Sequence, residues 1–405
     1  MDWNRPVKIT ILALSLRVFS LSFLFFRNKR KEIALGLFSF VFAIFIAEAF
    51  VRLFYPQIME HDKMFEYDPY LGWKFISNKK GAIVIQGEAR HYIETNYIGF
   101  RDDPPPPDQD KIRKILVLGD SFVSNISVKD SEVFTEVLEQ RLKNTAVLNF
   151  GVNGYGQVQE YLLLQKWLRK IDPDLIILVI YIRNDFNDNM GGYWLYPRPF
   201  ASWSEEDLTL KINPPPQPTP TEEATSEPFR KFYRKSHLYH FLDRKIRFLI
   251  TKFSQADQSE HKPSLYTPPE LYLCRSQPSE NTKLMYRTME ELLLRIEGYA
   301  DEIGLSLVFA IAPTIVQVED ELWSSTLLNY GGKLEDYIRT LPNDKLMQFA
   351  EKNNLLMIDL LPILQSEAKK GKTLYNHREQ HWNSDGNHVV AGSLLSYLKT
   401  KSLIE

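Results

Sequence analysis

Five short apolar runs, spaced along the chain with amphipathic stretches between them, constrain the fold more than any other feature. They are Lys114 to Leu118 (KILVL), Ala146 to Phe150 (AVLNF), Asp174 to Ile182 (DLIILVIYI), Leu305 to Ala312 (LSLVFAIA) and Leu355 to Leu360 (LLMIDL). Runs this apolar suit strands buried on both faces. Helical candidates lie around Val133 to Leu142, Gln157 to Lys170, Lys283 to Ile303 and Leu341 to Lys352, with a last one from Ser384 to Lys399. The order β-α-β-α-β, a long interruption, then α-β-α-β-α predicts an α/β fold with a parallel sheet covered on both faces by helices.

The rest of the composition narrows the partners. The 405 residues carry 49 Lys and Arg against 51 Asp and Glu, a net charge of −2. No global basic field points to nucleic acid, and no acidic excess points to a cation-binding tail. The single cysteine, Cys274, makes neither an intramolecular disulfide nor a cysteine-type metal centre. With 44% hydrophobic and 25% charged residues, wholesale disorder is excluded.

That near-neutral total hides a lopsided start. Two apolar blocks precede Tyr55, separated by Arg27, Lys29, Arg30 and Lys31. The second, Ile33 to Ala47, is uncharged and extends through Phe54, the roughly 20 residues needed to span a bilayer. A transmembrane anchor is therefore expected over 33–55, with Glu48 and Arg52 pairing near its outer end. The basic run puts its own side in the cytoplasm and the rest of the chain outside. A cleaved signal peptide is the rival, but no small-x-small site precedes the polar region. The first block, Ile9 to Phe26, is interrupted by Arg17. It reads as a second, poorer span, an interfacial helix or upstream sequence outside the functional unit, so the chain crosses once or twice.

The chain divides into an N-terminal segment 1–32, the anchor 33–55, a membrane-proximal segment 56–110, a first catalytic part 111–190, an insertion 191–280 and a second catalytic part 281–405. Pro214, Pro215, Pro216, Pro218 and Pro220 make the insertion a stiff, coreless stretch in which no strand is expected. Within it, Phe229 to Phe253 mixes aromatics with Arg230, Lys231, Arg234, Lys235, Arg244, Lys245 and Arg247. A solvated basic helix is the commoner explanation, and contact with a membrane surface or an anionic polymer is the rival.

In open α/β sheets ligands bind beyond the carboxyl ends of the strands, so polar residues there carry weight. Gly119-Asp120-Ser121-Phe122 follows the first strand, Asn149 through Gly156 the second and Arg183-Asn184-Asp185 the third. Glu379-Gln380-His381-Trp382-Asn383 precedes the last helix. A serine on a tight strand-to-helix turn needs a base, because a free hydroxyl is a poor nucleophile; Ser121 and His381 fill those roles. The oxyanion needs fixed donors: the backbone N–H groups of Ser121 and Gly154 and the Asn184 amide. Glu379 is the local candidate to orient the imidazole. Asp120, Asn149 and Asp185 are expected to brace their turns.

These four blocks, in this order, resemble the SGNH (GDSL-type) hydrolases. Gly119-Asp120-Ser121-Phe122 looks like the nucleophile block, Asn149 through Gly154 the glycine block, Asn184-Asp185 the asparagine block, and His381-Trp382-Asn383-Ser384-Asp385-Gly386 the closing histidine segment. Asp68 to Trp73 and Asn96 to Arg101 resemble the membrane-proximal segment of anchored bacterial members. The resemblance implies a flavodoxin-like three-layer α/β/α fold with strand order 2-1-3-4-5. It also implies metal-free, cofactor-free ester hydrolysis or acyl transfer through an acyl-serine. The family usually carries Asp two or three residues before the histidine, where this chain has Arg378 and Glu379. Either the longer Glu379 carboxylate or the backbone then orients the ring. Asp385 and His388 read as a competing acid and base pair; with Ser384 as a helix cap, His388 would turn away from the sheet edge.

The leading expectation is a membrane-anchored, extracytoplasmic serine esterase removing acyl groups, most simply acetyl, from a cell-envelope or secreted glycan. The alternatives are an O-acyltransferase using the same residues and a catalytically silent scaffold or glycan-binding protein. The expected partners are an acylated carbohydrate or small ester and the membrane, with no nucleic acid; oligomeric state is left open. A histidine base predicts a rate that falls as pH drops through about 6 to 7.

Overall fold

The computed structural model describes residues 30–55, 64–84, 90–107, 112–192, 194–206, 208–217, 236–239, 241–242, 245, 269–330, 333–377 and 379–405. The first apolar block, Pro218 and Pro220, most of Phe229 to Phe253 and Arg378 lie outside the described residues. The chain forms two compact units: Met1–Glu60 with Thr225–Asp257, and His61–Ala224 with Gln258–Glu405.

In the first unit, Arg30–Phe54 is one 25-residue helix. Among the described residues, no helix is long and apolar enough to cross a membrane. The expected spanning helix over 33–55 is thus not found as such. Near the end of this helix Glu48 pairs with Arg52 at 3.1 Å and accepts hydrogen bonds from Ser236 Oγ and the backbone N–H groups of His237 and Leu238. A carboxylate with four polar partners ties the helix to another protein segment. Phe38, Phe40, Val41 and Phe45 are nevertheless exposed.

The second unit opens with two hairpins, β1 (Phe65–Asp68) with β2 (Gly72–Phe75) and β3 (Lys80–Val84) with β4 (Arg90–Glu94). The main sheet follows: β5 (Arg113–Gly119), β6 (Thr145–Gly151) and β7 (Leu175–Tyr181). A further hairpin joins β8 (Phe200–Trp203) to β9 (Leu210–Asn213), and β10 (Ser306–Ala312) and β11 (Leu356–Asp359) complete the sheet. The five sheet strands run parallel in the order β6-β5-β7-β10-β11, which is 2-1-3-4-5 counted along the chain.

Alternation explains why this sheet has two cores. Leu116, Leu118, Ile176, Leu178 and Ile180 point to one face, where helices Gln157–Ile171, Glu280–Asp301 and Leu341–Asn353 cover them. Ile115, Val117, Leu175, Ile177 and Val179 point to the other, beneath Phe134–Glu139, Leu361–Lys369 and Ser384–Thr400. Burial of both faces, at about 25 cal/mol per Å² of apolar surface, is the main stabilising term for such a sheet.

Three details differ from expectation. The β8–β9 hairpin stands where the insertion was read as strand-free. It precedes the proline run, and Ala201 and Leu210 bury against the first core, so this part of the insertion is not coreless. Asp320–Asn329 and Leu361–Lys369 are additional helices. The last helix is capped by Asn383, whose side chain accepts from Gly386 N at 2.9 Å, and Ser384 is its first helical residue.

Candidate active site

β5 ends at Gly119, where a Cβ would meet Val123 Cγ2 at 2.3 Å. The chain then turns sharply: Asp120 Oδ1 accepts the Phe122 N–H at 2.8 Å and starts the one-turn helix Ser121–Ser124. Ser121 is thereby lifted to the carboxyl rim of the sheet. The His381 loop comes back to the same rim from 260 residues away, and Ser121 Oγ lies 2.8 Å from His381 Nε2. Asn125 Nδ2 donates to the Trp382 carbonyl at 3.0 Å, and the Phe122 ring packs 5.0 Å from the imidazole and 4.7 Å from Trp382. Trp382, fully buried, is therefore packing that fixes the histidine loop.

The hydroxyl has one proton and two acceptors in range, His381 Nε2 at 2.8 Å and Asp120 Oδ2 at 3.4 Å. The shorter contact favours the imidazole, which requires the tautomer with its proton on Nδ1. Glu379 does not present its carboxylate there. Its Oε2 accepts from Ser127 Oγ at 2.6 Å, and no side chain among the described residues bonds His381 Nδ1. The Glu379 main-chain carbonyl is the group that favours the charged ring. Burial outweighs it and, with Arg183 nearby, pushes the imidazole down to about 4. The Glu379 carboxylate is thus taken up by Ser127 rather than by the imidazole.

Among the described residues neither the Ser121 nor the Gly154 backbone N–H donates to another group. Gly154 sits at φ +77°, a conformation natural to glycine, with Trp194 packed where a Cβ would stand. Trp73 Nε1 donates to the Asn153 carbonyl at 2.9 Å. Since a peptide N–H points opposite to its C=O, this bond aims the Gly154 N–H the other way. The Asn184 amide bonds Asp188 Oδ2 at 2.9 Å and Asp185 Oδ1 at 3.2 Å, and it is among the groups that favour the charged form of the Asp120 carboxyl that contacts Ser121. Asn184 therefore stands beside the nucleophile, turned toward carboxyl groups.

The three supporting residues brace turns. Asn149 Nδ2 donates to the Val123 carbonyl at 2.8 Å and its Oδ1 accepts the Gly151 N–H at 3.0 Å, tying the glycine block to the nucleophile helix. Asp185 Oδ2 accepts from Tyr181 N at 2.8 Å and Gln157 Nε2 at 2.7 Å. Burial raises the Asp120, Glu160 and Asp185 carboxyls; the charge of Asp120 raises Glu160 and Asp185 further, and that of Glu160 raises Asp185. His388 is exposed on the last helix, its Nδ1 2.9 Å from the Ser384 carbonyl, so the competing pair is not assembled at this rim.

Sequence reasoning missed Ser127, Asp188, Trp194 and Arg198. Asp188 had a signal, lying one helical turn after Asn184; Arg198 and Trp194 had none, since both come from the stretch read as coreless. Together, a hydroxyl on an imidazole with free N–H donors beside it are the working parts of a serine hydrolase.

No family model and no curated protein matches the chain. Among solved structures it is similar to a member of the lipolytic protein G-D-S-L family from Veillonella parvula DSM 2008, at 13% identity over 70% of this chain and 97% of that one, with a TM-score of 0.36. It is similar to the acetyl xylan esterase AlAXEase at 12% identity over 70% and 98%, TM-score 0.38. It is also similar to the lipase/acylhydrolase from Enterococcus faecalis at 12% identity over 72% and 97%, TM-score 0.34.

Proposed function

We propose that this chain is a serine esterase that cleaves acyl esters through an acyl-Ser121 intermediate. The observation that carries the reading is the 2.8 Å approach of Ser121 Oγ to His381 Nε2 at the carboxyl rim of the sheet. His381 takes the hydroxyl proton as Ser121 attacks the ester carbonyl. The Ser121 and Gly154 N–H groups and the Asn184 amide receive the oxyanion, and His381 then protonates the leaving alcohol. Water, activated by the same imidazole, releases the acid.

The finer proposal is an O-acetylated glycan as substrate. It is supported by Trp194, 42% exposed beside Gly154 and held against Trp73 and Phe65 with ring centroids 5.2 Å from each. A rigid aromatic face at the oxyanion glycine suits the apolar face of a sugar ring. The apolar sequence over 33–55, with its exposed phenylalanines, supports attachment to a membrane, and the basic run Arg27, Lys29, Arg30 and Lys31 before it supports an extracytoplasmic side for the catalytic unit.

The test is turnover of p-nitrophenyl acetate and of an O-acetylated polysaccharide by the full chain. We expect acid release that disappears in both Ser121→Ala and His381→Ala; turnover that survives either change rejects the reading. Acetyl appearing on an added carbohydrate acceptor instead of as free acid would reassign the same site to acyl transfer.

A further inference from the structure

The two oxyanion donors outside the nucleophile turn come from loops that the sheet does not hold together. Gly154 follows β6 and Asn184 follows β7, and β5 lies between those strands. A donor displaced by about 1 Å loses on the order of 100-fold in rate, so something must fix the spacing of these loops. The sheet alone does not.

One buried ion pair bridges them. Arg198 Nη1 donates to the Gly154 carbonyl at 3.2 Å and to Asp188 Oδ2 at 2.8 Å. The same Asp188 oxygen accepts from Asn184 Nδ2 at 2.9 Å. A continuous path therefore runs from the glycine loop through a guanidinium and a carboxylate to the asparagine amide. Both side chains are nearly enclosed, at 4% and 13% exposure, so bulk water weakens the pair little. The guanidinium also lies 5.3 Å from the centre of the Trp73 ring, whose Nε1 holds the Asn153 carbonyl on the other side of the Gly154 N–H.

We propose that Arg198 and Asp188 are positioning residues of the oxyanion hole, holding the Gly154 loop and the Asn184 amide at a fixed separation. The proposal rests on the serine-esterase reading. Asp188 engages one N–H of the Asn184 amide and fixes its plane. The other N–H is held by the longer contact to Asp185 and is the one that turns to the oxyanion. Arg198 is supplied by the segment between β7 and β8, so the start of the insertion completes the catalytic rim. Neither residue touches substrate. Lysine is a poorer substitute, because its ammonium lacks the planar guanidinium that lies beside the Trp73 ring while its Nη1 reaches both acceptors.

The test measures p-nitrophenyl acetate turnover by the full chain in Arg198→Ala, Arg198→Lys and Asp188→Asn. We expect kcat to fall about 10- to 100-fold in Arg198→Ala with KM nearly unchanged, because the donors act on charge that develops in the transition state. Arg198→Lys should lose less. Guanidinium chloride, well below denaturing concentration, should restore part of the kcat of Arg198→Ala and none of Ser121→Ala, a readout that a merely structural role would not move. Should Arg198→Ala fail to fold, Arg198→Lys and Asp188→Asn carry the same kcat test. Wild-type kcat in folded variants, or a loss confined to KM, overturns the brace. Turnover lost in Ser121→Ala but intact in both Arg198→Ala and Asp188→Asn rejects only the brace; turnover that survives Ser121→Ala rejects the esterase reading beneath it.

Discussion

At the scale of single residues, the orientation of His381 departs furthest from a three-member Ser-His-acid arrangement. Glu379 lies two positions before the histidine, yet its carboxylate bonds Ser127 at 2.6 Å and leaves the imidazole to the main-chain carbonyl. Glu379→Gln keeps a hydrogen-bonding group for Ser127 and should lower kcat less than about tenfold, whereas losing a carboxylate paired with the base costs about 10⁴-fold elsewhere. The pH profile follows from the same site. Burial pushes His381 down to about 4, below the ordinary imidazole value. Protonation removes the base, so kcat/KM should be flat from about pH 5 to neutrality and fall as pH drops through about 4. An acid limb at the ordinary imidazole value of about 6.5 would contradict the desolvated, carboxylate-free setting of the ring. The serine and glycine positions were legible because their motifs sit at strand ends, and the histidine because its segment leads into the last helix. Ser127 and Arg198 were not, because their roles depend on which loops meet across the rim.

At the scale of elements, the five sheet strands were readable because burial on both faces leaves uninterrupted apolar runs. The hairpins β1 to β4 and β8–β9 were not, since strands of four or five residues with mixed burial carry too little periodicity to stand out. Packing between elements was also invisible. At the end of β6, a Cβ on Gly151 would lie 2.3 Å from Ser124 N, so the nucleophile helix presses directly on the glycine block. The helix Arg30–Phe54 combines exposed phenylalanines with a Glu48 that bonds the insertion, two tendencies that pull toward lipid and toward protein. If lipid contact is its role, the full chain should stay with membranes through an alkaline carbonate wash. A variant with Phe38, Phe40 and Phe45 changed to Asp should be released. Retention of both, or of neither, would refute attachment through this helix.

At the scale of the whole molecule, the chemistry depends on distant segments arriving at one rim of one sheet. Strand order places β5 between β6 and β7, so the loops bearing Gly154 and Asn184 flank the one bearing Ser121. His381 reaches them because its loop is clamped to the nucleophile helix by Asn125, Phe122 and Trp382. That convergence is the central claim, and covalent labelling tests it most directly. A fluorophosphonate incubated with the full chain, followed by intact-mass and peptide mapping, should place one adduct on Ser121, with labelling absent in Ser121→Ala and much slower in His381→Ala. Equal labelling of wild type and Ser121→Ala, or no adduct on the wild type, would contradict it.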